Sequence, residues 1–339
     1  MRKRYNARLR RAAAVALTAV LLCGPALAAE ELIPVGEAVG IQITVDGVLV
    51  AGLSPVETEN GVLSPAETAG IRAGDVITAL NGRPVQSAEE LAAAVTALGE
   101  ETADLTVTRY GKTLEFAVRP ALGSAEGPRL GLWLRDGVTG IGTVTYIDPE
   151  TGAFGALGHG VNDVESGALL PVEGGHVCKA RIVDVQRGES GTPGELAGSF
   201  SPGEPVGEIR KNTSHGIFGV MASPGDWPGA AVPVAAPGEV VSGPATIRAC
   251  VAGREVREYQ VEIARAGVMS GDGRDLSVRV TDPELLALTG GIVQGMSGSP
   301  ILQNGKLVGA VTHVLTGDPT RGYGIFAENM LREGAAAAA

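Results

Sequence analysis

Apolar and polar positions alternate along the chain with two different periods. Over residues 88–98 the apolar side chains Leu91, Ala94, Val95 and Leu98 recur at helical spacing. Ser87, with Glu90 three residues on, forms a capping box that predicts where this helix begins. A shorter helix is written at Ser64-Pro65-Ala66-Glu67-Thr68-Ala69-Gly70, with Ser64 as N-cap, Pro65 at the first helical position, Glu67 at the third and Gly70 as the stop. Strands are predicted at residues 76–80, 104–109 and 113–118, punctuated by Asn81-Gly82 and by Tyr110-Gly111-Lys112. Residues 121–129, rich in Gly, Ser and Pro, read as a linker. Beyond it come many short β-like runs, at 131–135, 142–146, 180–186, 216–221, 245–251, 260–265, 276–281, 300–302 and 307–314, with few helices between them. Such a series predicts a barrel or sandwich of about 200 residues.

The N-terminus breaks this pattern. Six basic residues precede position 12, residues 12–22 are apolar, Ala26-Leu27-Ala28 supplies a small-x-small site, and no acidic residue appears before Glu30. These are the parts of an export signal occupying residues 1–28, with cleavage expected after Ala28. The apolar run is short of the roughly 20 residues that span a bilayer, which argues against a retained anchor. Loss of the signal leaves 21 Lys and Arg against 38 Asp and Glu, a charge of −17. That balance excludes nucleic acid and anionic membrane as partners held by charge. Cys178 and Cys250 survive export, and a disulfide and a pair of buried free thiols are both compatible with the sequence. Neither has a ligand set of zinc type around it, and no metal or organic cofactor is expected.

Residues 64–120 resemble the PDZ domains of bacterial exported proteases, and a PDZ domain of β strands and two helices is expected over residues 37–120. The resemblance implies a groove that takes an extended peptide by strand addition. A backbone loop near Val39, Gly40 and Ile41 would capture its carboxylate, with Leu91 and Val95 lining the groove.

The hexapeptide Gly295-Met296-Ser297-Gly298-Ser299-Pro300 carries the chemistry. A nucleophilic serine stands on a tight turn whose flanking glycines let backbone N–H groups converge on one point. The turn resembles Gly-x-Ser-Gly-Gly-Pro of trypsin-like enzymes, with Ser299 replacing a glycine, and Leu307-Val308-Gly309-Ala310-Val311-Thr312 resembles the strand that follows it. Residues 130–333 are therefore expected to form a trypsin-like double β-barrel. Gly295 and Ser297 would supply the oxyanion hole. Serine needs a base, and of the four histidines His159 lies in the glycine-lined turn Gly158-His159-Gly160. His313 follows the specificity strand, where a substrate-facing position and a packed surface residue are both open, and His176 and His215 have no context that favours catalysis. Asp282 lies fifteen residues before Ser297, whereas trypsin-like enzymes place their aspartate earlier, which points instead to Asp163 or Asp184.

Gly158-His159-Gly160, Thr281-Asp282-Pro283, the run from Thr289 to Pro300 and Gly309-Ala310-Val311-Thr312-His313-Val314 together resemble the stage IV sporulation protein B peptidases of endospore-forming bacteria. The resemblance places a triad on His159, Asp282 and Ser297. It implies a serine endopeptidase exported into the space between forespore and mother-cell membranes, where it cleaves a membrane-bound regulatory subunit of an intramembrane protease and cleaves its own chain, under control of the PDZ domain. Two other readings fit the motifs less fully: a broad-specificity exported quality-control protease, and a PDZ adaptor on a decayed protease fold. The second predicts loss of a triad member, and none is lost.

Overall fold

A computed structural model describes residues 31–123, 127–163, 167–172, 174–267 and 274–335. The expected export signal and the last alanines of the tail lie outside these residues.

Two six-stranded rings dominate the fold. In the first, Ala38–Leu53 pairs with Leu132–Ile147, which pairs with Ala153–Ala156 and on through Gly216–Met221, Glu195–Thr213 and Gly174–Gln186 back to Ala38–Leu53. Val39, Ile41, Ile43, Val144, Phe154, Val177, Ile209 and Ile217 fill it, all buried. The second is a closed barrel of Gly243–Ala252, Glu255–Ala266, Leu276–Val280, Asp318–Phe326, Lys306–Leu315 and Pro300–Gln303. Its core also takes in Ala38, Ile182 and Leu196 from the first ring, so the barrels pack on one another. Inward-facing positions are largely apolar because each strand presents every second residue to the interior.

The PDZ fold is not a separate segment followed by a linker. Its sheet uses Val76–Leu80, Ala103–Arg109 and Lys112–Val118, which pair in that order and join the end of strand Ala38–Leu53 at Val48 and Leu49. Leu130, Leu132 and Leu134 complete its core beside Val48, Val50, Ile77, Leu91, Val95 and Leu105. One 16-residue strand, Ala38–Leu53, thus serves the barrel with its first half and the PDZ sheet with its second. Leu132–Ile147 does the same in reverse. The expected boundary at residue 37 and the expected linker are corrected accordingly. Within the expected linker, Ala121–Gly123 pairs antiparallel with Gly127–Arg129.

Local signals in the PDZ region act largely as written. Ser87 accepts a bond from the Glu90 N–H at 3.1 Å and starts helix Ala88–Leu98. Helix Pro65–Ala69 ends on Gly70 in the left-handed conformation, although the Ser64 side chain makes no cap bond. Asn81-Gly82 and Tyr110-Gly111 both adopt the positive φ angles of tight hairpin turns. Buried Asp75 and Arg109 form a two-pronged ion pair, with bonds of 2.6 and 2.7 Å, that ties the sheet to the Gly70 carbonyl.

Candidate active site

The nucleophile turn projects from the second barrel onto the first. Gly295 and Gly298 have φ of +94° and +97°, and a Cβ on Gly298 would lie 2.1 Å from the Thr143 carbonyl. Only glycine permits that approach. The first barrel grips the turn in return, through the Thr143 N–H donating to the Ser297 carbonyl at 3.1 Å and the Thr143 hydroxyl donating to the Gly295 carbonyl at 2.8 Å. Both carbonyls of the loop are therefore occupied. The N–H groups of Gly295 and Ser297 donate to no backbone carbonyl among the described residues.

The two serines of the turn differ. Ser297 is half-buried and its Oγ donates to the Thr312 carbonyl at 2.7 Å. Ser299 is fully buried and its hydroxyl lacks a partner. Thr312 belongs to strand Lys306–Leu315 and delivers His313, whose ring centroid lies 5.1 Å from that of His159, tilted by 39°. Gly158 packs against Thr312 from the other side. His159 and Ser297 therefore both approach the Thr312–His313 stretch of this strand.

His159 follows strand Ala153–Ala156, with Leu157 and Gly158 at positive φ turning the chain toward the second barrel. Its Nδ1 lies 2.9 Å from the Gly160 carbonyl. A carbonyl only accepts, so this bond places the proton on Nδ1 and leaves the lone pair on Nε2, the form a general base requires. Burial pushes the His159 pKa below its ordinary value, and the Gly160 bond opposes that shift only in part.

Asp282 is bound by backbone N–H groups. Asp282 is the N-cap of helix Pro283–Thr289: Oδ1 accepts from the Glu284 and Leu285 N–H groups at 2.9 and 3.0 Å, and Oδ2 from the Gln260 N–H at 3.1 Å. Among the described residues it makes no hydrogen bond to His159, which bonds to the Gly160 carbonyl. Asp163 and Asp184 do not supply one either. Asp184 is exposed on strand Gly174–Gln186, and Asp163 is buried in the loop after His159. A helix cap and a catalytic acid leave the same trace in sequence. His313 and the Gly160 carbonyl were the unrecognised neighbours of the imidazole. A backbone group has no sequence signature. His176 and His215 lie away from these groups, on a strand face and in a turn.

The expected PDZ loop is also corrected. Val39, Gly40 and Ile41 are buried in the barrel ring, Gly40 between Ile141 and Cys178, and a Cβ on Gly40 would lie 2.1 Å from the Phe200 ring. A groove does exist, as a cavity of about 590 Å³ between helix Ala88–Leu98 and the start of strand Leu132–Ile147. Leu91 and Val95 lie on its wall with Leu130, Leu132 and Leu134. Residues 132–135 pair with Ala38–Leu53 along one edge, leaving the helix-facing edge without a strand among the described residues.

Cys178 and Cys250 are buried free thiols, and burial raises both pKa values. No group of three or more potential ligands suited to a metal ion occurs among the described residues, and no helix there is long and apolar enough to cross a membrane.

Comparison with known proteins accords with this architecture. A PDZ domain family matches residues 61–109. A probable periplasmic serine endoprotease, DegP-like, of Rhizobium meliloti (strain 1021) is 42% identical over 85 residues, which cover 24% of this chain and 16% of that protein, so the chain spans only about a sixth of its relative. Among solved structures, the active form of the Rv3671c protease from M. tuberculosis matches at 17% identity and a TM-score of 0.34, covering 59% of this chain and 74% of that one. The PDZ domain of an SdrC-like protein from Listeria monocytogenes matches at 23% identity and a TM-score of 0.23, covering 28% and 93%. The SpoIVB peptidase S55 family matches residues 126–331, more than half of the sequence and the whole of both barrels beyond the strand Ala38–Leu53, and the chain belongs to that family of serine peptidases.

Proposed function

We propose that this protein is an exported endopeptidase that cleaves a regulatory protein at a membrane surface, triggering a sporulation sigma-factor checkpoint, and also cleaves its own chain. Ser297 is the nucleophile and His159 the base. The observation that carries the chemistry is the turn at Ser297, a reachable hydroxyl beside two N–H groups that donate to no backbone carbonyl among the described residues, with a neutral imidazole across Thr312. For attack, the Ser297 hydroxyl leaves the Thr312 carbonyl and turns to Nε2 of His159. The imidazole takes the proton, the Gly295 and Ser297 N–H groups hold the oxyanion, and His159 then protonates the leaving amine. Each oxyanion donor is worth about 3 to 4 kcal/mol in sites of this kind.

The PDZ groove takes an extended segment of the target or of the protein itself. Such a segment adds as a strand to the open edge of residues 132–135, with its apolar side chains on Leu91 and Val95. The target, the export route and the checkpoint rest on family membership and on the signal-like N-terminus.

Incubation of the mature protein with a fluorophosphonate, followed by mapping of the labelled residue, tests the chemistry. Labelling should fall on Ser297, vanish in Ser297→Ala and persist in Ser299→Ala, whose hydroxyl is fully buried. Label on Ser299, or cleavage surviving in Ser297→Ala, would overturn the assignment.

A further inference from the structure

As a base His159 needs its tautomer and orientation held. The Gly160 carbonyl makes the contact, and its own support is unusual. The peptide unit that carries this carbonyl ends in the Val161 N–H, and that N–H donates to Oδ1 of Asn212 at 2.9 Å. Carbonyl and N–H are opposite ends of one planar group. Asn212 therefore grips, from behind, the same peptide that faces the imidazole.

The rest of the Asn212 amide closes the clamp. Nδ2 donates to the Val161 carbonyl at 2.8 Å and to the Leu170 carbonyl at 3.0 Å, while the Leu170 N–H bonds back to the Val161 carbonyl at 3.0 Å. Leu170 itself is buried against Val45, Leu49 and Val76. Gly160 itself is tightly enclosed, since a Cβ there would sit 2.3 Å from the Leu169 side chain and 2.7 Å from the Thr213 carbonyl. Asn212 ends a barrel strand and is paired with Ile217, so it is anchored to the scaffold rather than to the loop it holds.

The geometry points to Asn212 as a positioning residue for catalysis, acting on His159 through the Gly160–Val161 peptide. The chain of bonds runs from Asn212 Oδ1 to the Val161 N–H, through the peptide to the Gly160 carbonyl, and on to Nδ1–H of His159. Hydrogen bonds in series polarise one another, so the asparagine both fixes the carbonyl and makes it a better acceptor for an imidazole that becomes cationic during attack. This role rests on the reading that Ser297 and His159 form the reacting pair.

A matched control lies on the same molecule. Gln303 holds three backbone groups in the same way, accepting from the Val241 N–H at 3.1 Å and donating to the Val241 and Pro244 carbonyls at 2.9 and 3.2 Å, but at the far end of strand Pro300–Gln303. Asn212→Ala and Gln303→Ala, made in the mature protein, should lower the melting temperature alike. Only Asn212→Ala should also lower kcat on a peptide substrate, by about 100-fold with KM unchanged, as a misplaced catalytic group does. Fluorophosphonate labelling of Ser297 should slow in parallel. Asn212→Asp keeps the acceptor for the Val161 N–H and loses both donors. It should recover kcat to within tenfold of the unaltered protein while remaining less stable, and it is read against the same limit if Asn212→Ala does not fold. A kcat in Asn212→Ala no lower than in Gln303→Ala, or in Asn212→Asp no higher than in Asn212→Ala, overturns the positioning role. Failure of the unaltered protein to label at Ser297 refutes the serine and histidine reading itself, a separate result.

Discussion

Asp282 gathers three backbone N–H groups onto one carboxylate, and the helix it starts, Pro283–Thr289, runs straight into the loop that carries Ser297. Loss of that cap should cost about 1 kcal/mol and loosen the loop. Asn and Ser cap almost as well as Asp, so Asp282→Asn and Asp282→Ser should keep kcat within a few-fold, and Asp282→Ala should lose stability first. A fall of about 10⁴ in kcat for Asp282→Asn, with the melting temperature unchanged, is what a triad carboxylate would give and would restore Asp282 to the triad. His159 sets the pH dependence at the same scale. Its cation is disfavoured by burial, so the base stays neutral below the ordinary histidine value of 6.5. The acid limb of the kcat/KM profile should therefore fall below pH 6.5. The unfolded chain takes up that proton more readily than the folded one, so stability should also decline as pH drops through about 6.5.

At the scale of elements, helix Ala88–Leu98 presents two kinds of residue to the groove. Leu91 and Val95 are buried and belong to the PDZ core, whereas Ala92 and Thr96 are exposed on the same wall. Ala92→Trp should fill the groove and abolish binding of an extended peptide, measured by titration calorimetry, with little change in melting temperature. Leu91→Ala should instead destabilise the fold by about 2 to 5 kcal/mol, as deletion of a buried leucine side chain does. The same distinction applies to Gly40. A β-branched residue there meets the Phe200 ring, so Gly40→Val should unfold the first barrel rather than weaken peptide capture selectively. Helix start and hairpin turns in this region were legible in the sequence because Ser87, Asn81-Gly82 and Tyr110-Gly111 act on their immediate neighbours. The groove wall at residues 130–134 was not, since it comes from chain beyond the rest of the PDZ fold and reaches the helix only after the strand has paired.

For the whole molecule, the shared strands make the PDZ domain and the peptidase inseparable at residue 37. Deletion of residues 37–120 removes Val39, Ile41 and Ile43 from the first barrel core, and the product should fail to fold. Thr44 and Gly137 are directly opposed in the sheet. Replacing residues 45–136 with an Asn-Gly turn between them keeps the barrel ring intact. This shortened protein should react with a fluorophosphonate at Ser297 while losing peptide binding at the groove, and an inactive, unfolded product would show that the PDZ sheet is needed to hold the first barrel. Leu170 gives a reason to expect slower labelling, because the loop after His159 packs on Val45, Leu49 and Val76.

By itself the sequence determined the local and the repetitive: the helix starts, the tight turns, the many-stranded β architecture, the glycine-flanked Ser297 and the single histidine in a glycine-lined turn. These depend on a residue and its near neighbours, and the peptidase family is legible in them. Only the tertiary structure decided how the pieces are shared. It placed Val39–Ile41 inside a barrel, because strand pairing across about a hundred residues has no local signal. It made Asp282 the cap of a helix. And it gave the imidazole a peptide carbonyl, backed by Asn212, whose role arises from two side chains bonded to opposite ends of one backbone peptide, which only the folded chain brings together.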